Sequence, residues 1–233
     1  RHMALYALGD LHLSLNSNKS MEIFGDGWQD YVLRLKEAFS ALRPEDVTVL
    51  CGDLSWGMSL EESLEDFRFI DALPGKKYLL KGNHDYWWNT AAKMERFFRE
   101  HELTTMEILH NNCKFYGELA LCGTRGWFYE LDNQGTHNEK VLLREIGRLE
   151  SSLKAAGEHE KLVFLHYPPI TQDRICPEIY DVLVEYKIKR CFYGHLHSFA
   201  TKCAFEGERD GINFSLISGD YLEFLPKLIE KQP

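Results

Sequence analysis

No stretch of this sequence approaches the roughly 20 apolar residues needed to span a bilayer. The run after Met3 lasts only to Leu8, where Gly9-Asp10 interrupts it, and no basic leader precedes it. Neither a membrane span nor a signal peptide is expected, and a cytoplasmic location is. Low-complexity tracts, internal repeats and linkers rich in Pro, Gly or Ser are also missing, so one domain over residues 3–233 is expected. Arg1 and His2 ahead of Met3 read as the remnant of an expression tag. The six cysteines form no Cys-x-x-Cys pair and mostly sit in apolar runs, where they read as reduced core residues. Positive charge is scarce: 27 Lys and Arg face 36 Asp and Glu, for a net charge of −9. That balance argues against long nucleic acid as the main partner, while leaving a small anion open.

What the sequence does have is alternation. Short apolar runs at Ala4–Leu8, Val47–Cys51, Lys77–Leu80, Leu162–Leu165 and Cys191–Tyr193 read as strands. Between them, Trp28, Val32, Leu35 and Phe39 recur at helical spacing, as do Leu60, Leu64, Phe67 and Ile70 behind the capping box Ser59-x-x-Glu62. Met94, Phe97 and Phe98 suggest a third helix, and Thr136-x-x-Glu139 caps a longer one carrying Leu142, Ile146, Leu149 and Leu153. Cys113–Tyr116 and Leu119–Cys122 read as a hairpin across Gly117-Glu118. Lys202–Phe205 and Ile212–Ile217 read as a second hairpin, joined across Gly207 to Gly211. The pattern predicts an α/β fold with mixed sheets.

Five of the apolar runs stop at residues that bind metals: Gly9-Asp10-Leu11-His12, Gly52-Asp53, Gly82-Asn83-His84-Asp85, His166, and Gly194-His195-Leu196-His197. Alone, each is weak, because Gly-Asp is an ordinary turn and a histidine after a strand is often only a satisfied polar residue. Together they are specific, since residues just beyond the carboxyl ends of neighbouring strands share one crevice. Imidazole nitrogens mixed with carboxylate and amide oxygens suit Mn, Fe, Zn or Co, Mn foremost, better than Ca or Mg. Asp53, with two carboxylate oxygens, is the natural bridge between two divalent ions. Such a centre stays cationic against only two carboxylates and favours a phosphate ester.

The order Asp-x-His, Gly-Asp, Gly-Asn-His-Asp, His, Gly-His-x-His closely resembles the calcineurin-like metallophosphoesterases over Asp10 to His197. The resemblance implies a two-sheet sandwich flanked by helices (α-β-β-α), with the ligands on loops at one edge. It implies that Asp10, His12 and His197 hold one metal, that Asn83, His166 and His195 hold the other, and that Asp53 bridges them. By the same resemblance His84 is the acid histidine and Asp85 the carboxylate that orients it. Tyr86-Trp87 stands where the phosphoprotein phosphatase branch has an arginine-bearing motif, which speaks against a protein phosphatase. The implied reaction is hydrolysis of a small-molecule phosphate monoester or diester by a metal-bridging hydroxide, with His84 protonating the leaving oxygen. The alternatives are a nuclease of the same fold and a non-catalytic scaffold that uses it for binding.

For substrate recognition, Arg125 in Gly123-Thr124-Arg125-Gly126-Trp127 is a candidate phosphate clamp, with a salt bridge as its alternative. Trp127, Trp56, Trp87 and Trp88 are candidates for an aromatic rim or for packing. Leu13 to Gly27 is the longest loop of the first half, a surface connection or a flap. Asp220 reads as a terminal turn, and His101, His110, His137 and His159 as structural or surface residues.

Overall fold

In the computed structural model, which describes residues 3–17, 19–129 and 136–232, two mixed sheets lie face to face. The first holds five strands in the order β11-β1-β2-β3-β4: β1 (Ala4–Leu8), β2 (Val47–Leu50), β3 (Lys76–Leu79), β4 (Met106–Ile108) and β11 (Lys227–Lys231). The second holds six in the order β5-β6-β7-β8-β10-β9: β5 (Cys113–Tyr116), β6 (Leu119–Thr124), β7 (Lys161–Leu165), β8 (Arg190–Tyr193), β9 (Gly207–Arg209) and β10 (Ile212–Leu216). β1 to β4 run parallel, and so do β6, β7, β8 and β10. β11, β5 and β9 close edges in antiparallel pairing.

The uninterrupted apolar runs follow from burial on both sheet faces. On β7, Leu162 and Phe164 turn inward to a core between the sheets that includes Leu5, Val49, Leu121 and Phe192. Val163 and Leu165 of the same strand turn outward, toward α4 (Thr136–Ala155) and α5 (Pro177–Glu185). Against the other sheet, α1 (Tyr31–Phe39), α2 (Leu64–Ala72) and α3 (Ala91–Glu100) bury Leu35, Phe39, Phe67, Ile70, Met94 and Phe98. The four layers are those the resemblance implies.

Several boundaries differ from the sequence reading. α1 begins only at Tyr31, because Asp30 takes a left-handed φ of 51° that separates Trp28 from the helix. Half of the Ser59 box forms, with Glu62 N–H donating to Ser59 Oγ at 3.1 Å while the Glu62 carboxylate accepts from Met58 N–H at 2.8 Å, and it caps a turn ahead of α2. The Thr136 side chain lies outside the described residues. The second hairpin is real but misplaced: β9 and β10 meet across Asp210-Gly211, whose φ values of 51° and 79° are those of a tight hairpin turn. Lys202 and Cys203 instead belong to a 3-10 segment, Ser198–Cys203. Among the described residues, no helix is long and apolar enough to cross a membrane.

Candidate metal centre

All seven candidate ligands lie beyond the carboxyl ends of parallel strands. Asp10 and His12 follow β1, Asp53 follows β2 and Asn83 follows β3, whereas His166 follows β7 and His195 and His197 follow β8. The two sheets thus meet at the site. Four candidate ligands sit in left-handed backbone: Asp10 (φ 55°), His12 (43°), Asp53 (52°) and His195 (71°). Such conformations are unfavourable for non-glycine residues and concentrate at functional sites. The glycines beside them permit close approach: a Cβ on Gly52, itself at φ 89°, would lie 2.6 Å from Gly82 N and 2.8 Å from His166 Nδ1. A Cβ on Gly194 would collide with Asp10 Oδ2.

Around Asp53 and Asp10 the donor atoms stand at the spacing of ligands that share one ion. His12 Nε2 is 3.6 Å from Asp53 Oδ2 and 3.8 Å from Asp10 Oδ1, and His166 Nε2 is 3.4 Å from the same Asp53 oxygen. Two ligands on neighbouring vertices of a tetrahedron with metal bonds near 2.1 Å are about 3.4 Å apart. Two potential ligand groups result, Asp10-His12-Asp53 and Asp53-His166-His195, with Asp53 common to both. Asn83 Oδ1 joins the second, 2.7 Å from His166 Nε2 and 3.3 Å from His195 Nδ1. His197 lies at the margin of the first, its ring centroid 5.4 Å from that of His12.

These residues fit divalent cations. Asp10 Oδ1 and His12 Nε2 are buried without a hydrogen-bond partner, which is costly unless something else satisfies them. Burial pushes the Asp10 carboxyl up and His12 down to about 3, which keeps His12 neutral, whereas the Asp53 carboxyl, although burial opposes it, is held down by His166. Burial also works against charge on His166, yet Asp53 and Asp10 hold it up to about 9. His166 is further fixed by Nδ1, which lies 2.9 Å from the Cys51 carbonyl oxygen and leaves Nε2 for the centre.

The expected partnership of His84 and Asp85 is not what the structure shows. Asp85 is buried and accepts from the backbone N–H groups of Asp53 (2.8 Å), Leu54 (2.8 Å) and Gly82 (2.7 Å) and from Trp87 Nε1 (2.9 Å). With both oxygens committed, it ties the Asp53 loop to the Asn83 loop and does not orient His84. The His84 ring instead meets the Tyr86 hydroxyl, 3.0 Å from Nδ1, and its backbone N–H donates to Asp53 Oδ1 at 2.8 Å. Tyr86 was findable only as a polar aromatic two residues beyond His84. Burial lowers the His84 pKa, against the pull of Asp53.

Two expectations about substrate contacts fail. Trp127 is buried in the core beneath α4 and α5, so it cannot present a face to substrate. Arg125 points its guanidinium at Glu145, 3.4 Å away, in the salt-bridge arrangement and not as a free clamp. Glu145 is fully buried and also accepts from Arg148 at 2.7 Å and from Thr124 Oγ1 at 2.9 Å. Trp87 is core as well, whereas the half-buried Trp56 lies in the site, its ring 5.1 Å from that of His12 and 4.9 Å from that of His84. The Leu13 to Gly27 segment, apart from Asn18, which is outside the described residues, folds against the site: Lys19 Nζ sits 4.2 Å from the Trp56 ring and Phe24 packs edge-on to His197. Asp220 accepts from Ser198 N–H at 2.6 Å and so fixes the turn after His197.

His110 lies beside the Arg125-Glu145-Arg148 group, with its ring against Trp88. Burial lowers its pKa to about 4 from an ordinary 6.5. A depressed folded pKa contributes stability that is present above 6.5 and lost as pH falls through 4. His110→Gln is therefore expected to flatten the loss of folding free energy between pH 6.5 and pH 4, measured by urea unfolding; an unchanged slope would dissociate His110 from acid destabilisation.

A two-sheet α/β sandwich whose parallel strand ends gather imidazole, carboxylate and amide donors is the frame of a metal-dependent phosphate-ester hydrolase. The chain belongs to the calcineurin-like phosphoesterases, whose family profile matches residues 3–199. Among solved structures it is similar to the phosphopantetheinyl hydrolase of Mycobacterium tuberculosis, at 13% identity and a TM-score of 0.60, covering 98% of this chain and 96% of that one. A Thermus thermophilus protein is similar at 13% identity and a TM-score of 0.55, covering 84% and 82%. Identities this low speak for the fold alone. No curated protein matches the sequence.

Proposed function

We propose that this phosphoesterase hydrolyses monoesters or diesters of a small phosphorylated molecule at a two-cation centre. Asp10, His12 and His197 would hold one cation, Asn83, His166 and His195 the other, and Asp53 both. Asp53 carries this reading: its Oδ2 faces His12 Nε2 and His166 Nε2 at 3.6 and 3.4 Å, from opposite sheets. Bound divalent metals, Mn first among Mn, Fe, Zn and Co, would supply Lewis acidity and lower the pKa of water to near neutrality. The chain's own part is positional. Cys51 O and Asp85 hold the ligand loops, and the net charge of −9 disfavours long polyanions.

His84 reaches toward the centre between Trp56 and Tyr86, where it can give a proton to a departing oxygen. With the metals retained, His84→Ala is expected to lose about 10²–10⁴-fold in kcat on an alkyl phosphate. On a nitrophenyl ester, whose leaving group needs no proton, the loss should stay below about tenfold. Equal losses on the two substrates would remove His84 from the acid role. The wider test is a panel of monoesters, diesters, single-stranded DNA and duplex DNA, each with Mn, Zn, Fe and Mg. Cleavage of DNA alone would favour the nuclease, and failure with every ester and metal would overturn the hydrolase.

A further inference from the structure

The hairpin at the edge of the six-stranded sheet carries two thiols that the metal centre does not use. Cys113 on β5 and Cys122 on β6 are direct cross-strand partners. The hairpin turns through two residues, Gly117 and Glu118, and Tyr116 pairs with Leu119 on either side of them. The pair flanking a two-residue turn is hydrogen-bonded, and antiparallel pairs alternate outward from it. Phe115 with Ala120 is then non-hydrogen-bonded, Lys114 with Leu121 hydrogen-bonded, and Cys113 with Cys122 non-hydrogen-bonded again. Such pairs hold their Cα atoms about 4.5 Å apart with the side chains on one face at their closest approach. That falls inside the roughly 4.4–6.8 Å Cα separation that a disulfide spans.

Access and reactivity divide between the two. β5 is the terminal strand of its sheet, and Cys113 is half-buried, whereas Cys122 is fully buried. The hydrogen bond from Cys122 favours the Cys113 thiolate, and although burial opposes it, nearby Lys161 and Lys114 add to the lowering. The same contact, with burial, pushes the Cys122 thiol up. The more accessible partner, Cys113, is thus the nucleophile and the buried Cys122 the resolving thiol. Cys51, Cys176 and Cys191 are buried, and Cys203 is exposed on the Ser198–Cys203 segment, outside any strand.

We propose that Cys113 and Cys122 form a peroxide-oxidisable dithiol that closes reversibly to a cross-strand disulfide. The Cys113 thiolate attacks one oxygen of hydrogen peroxide, the O–O bond breaks, and the hydroxide released takes up a proton to leave as water. Cys113 is left as the sulfenic acid. The Cys122 sulfur then displaces the sulfenic oxygen, which departs as a second water with the Cys122 proton, and the S–S bond forms. Two thiols lose two electrons, and one peroxide is reduced to two waters.

Mass spectrometry of the folded protein tests this directly. After brief peroxide treatment, alkylation of free thiols and trypsin digestion, the peptides Glu100–Lys114 and Phe115–Arg125 should appear joined by a disulfide. The link should be reversed by dithiothreitol, absent from Cys113→Ser and Cys122→Ser, and retained in Cys203→Ser. Recovery of both peptides separately alkylated, advance of Cys113 to a sulfinic acid without the link, or pairing of Cys113 with Cys203 would each overturn the proposal.

Discussion

Asp53→Asn is expected to abolish hydrolysis and to release both cations together. The substitution is nearly isosteric, and the carboxamide oxygen can still accept from the His84 backbone N–H that Asp53 Oδ1 now binds at 2.8 Å. What it removes is the charge and the second oxygen, the one facing His12 and His166. Loss of an outer partner of a metal ligand typically weakens affinity about 10–100-fold. Loss of the shared ligand should exceed that at both positions, while Asp10→Asn should weaken mainly one. Metal content by elemental analysis alongside kcat distinguishes the cases: two metals retained at normal affinity in the Asp53→Asn protein would show that Asp53 is not a bridge.

The largest effect on folding is expected at Asp85. Its two oxygens accept four close hydrogen bonds, from three buried backbone N–H groups and one indole N–H at 2.7–2.9 Å, and a longer one from Ser55 N–H at 3.4 Å. Asp85→Ala would leave all four donors without an acceptor, each costing about 1–3 kcal/mol less whatever water enters the cavity. A net loss of about 3–5 kcal/mol is expected, a large fraction of the roughly 5–15 kcal/mol that stabilises a typical fold. The denaturation midpoint in urea measures it. Asp85→Asn keeps one acceptor oxygen and should fall between, with a metal content that tracks stability. If Asp85→Ala were as stable as the parent, the carboxylate would not be the anchor its hydrogen bonds describe.

The candidate ligands were legible as punctuation. Buried parallel strands read as largely apolar runs, and the polar residues just past their ends are the ones brought to the crevice, as Leu8 precedes Gly9-Asp10 and Leu165 precedes His166. Side-chain partners were not legible, because they are remote in sequence. Arg125 meets a glutamate 20 positions away on α4, and Asp85 serves donors about 30 positions earlier as well as its own turn. Edge strands were hidden for another reason. β11, Lys-Leu-Ile-Glu-Lys, and β9, Gly-Glu-Arg, are short and polar, as exposed edges must be to resist pairing with other chains. α5 was not read although Ile179, Tyr180, Val182 and Leu183 recur at helical spacing between Glu178, Asp181 and Glu185, because it is short and opens on Cys176-Pro177 without a side-chain cap.

The division of the centre between two sheets also orders its assembly in time. Asp10, His12, Asp53 and Asn83 belong to the first-made sheet, but the contact from His195 N–H to Asp10 Oδ2 closes a sequence separation of 185 residues, and β11 returns to the first sheet only at Lys227–Lys231. Contacts of such long range form late, after the loop-closure entropy has been overcome. A chain emerging from the ribosome would therefore hold four of the seven candidate ligands long before the other three exist. Cation capture by the proposed centre would then be a terminal event of biogenesis, and a chain ending before His166 is expected to bind metal weakly.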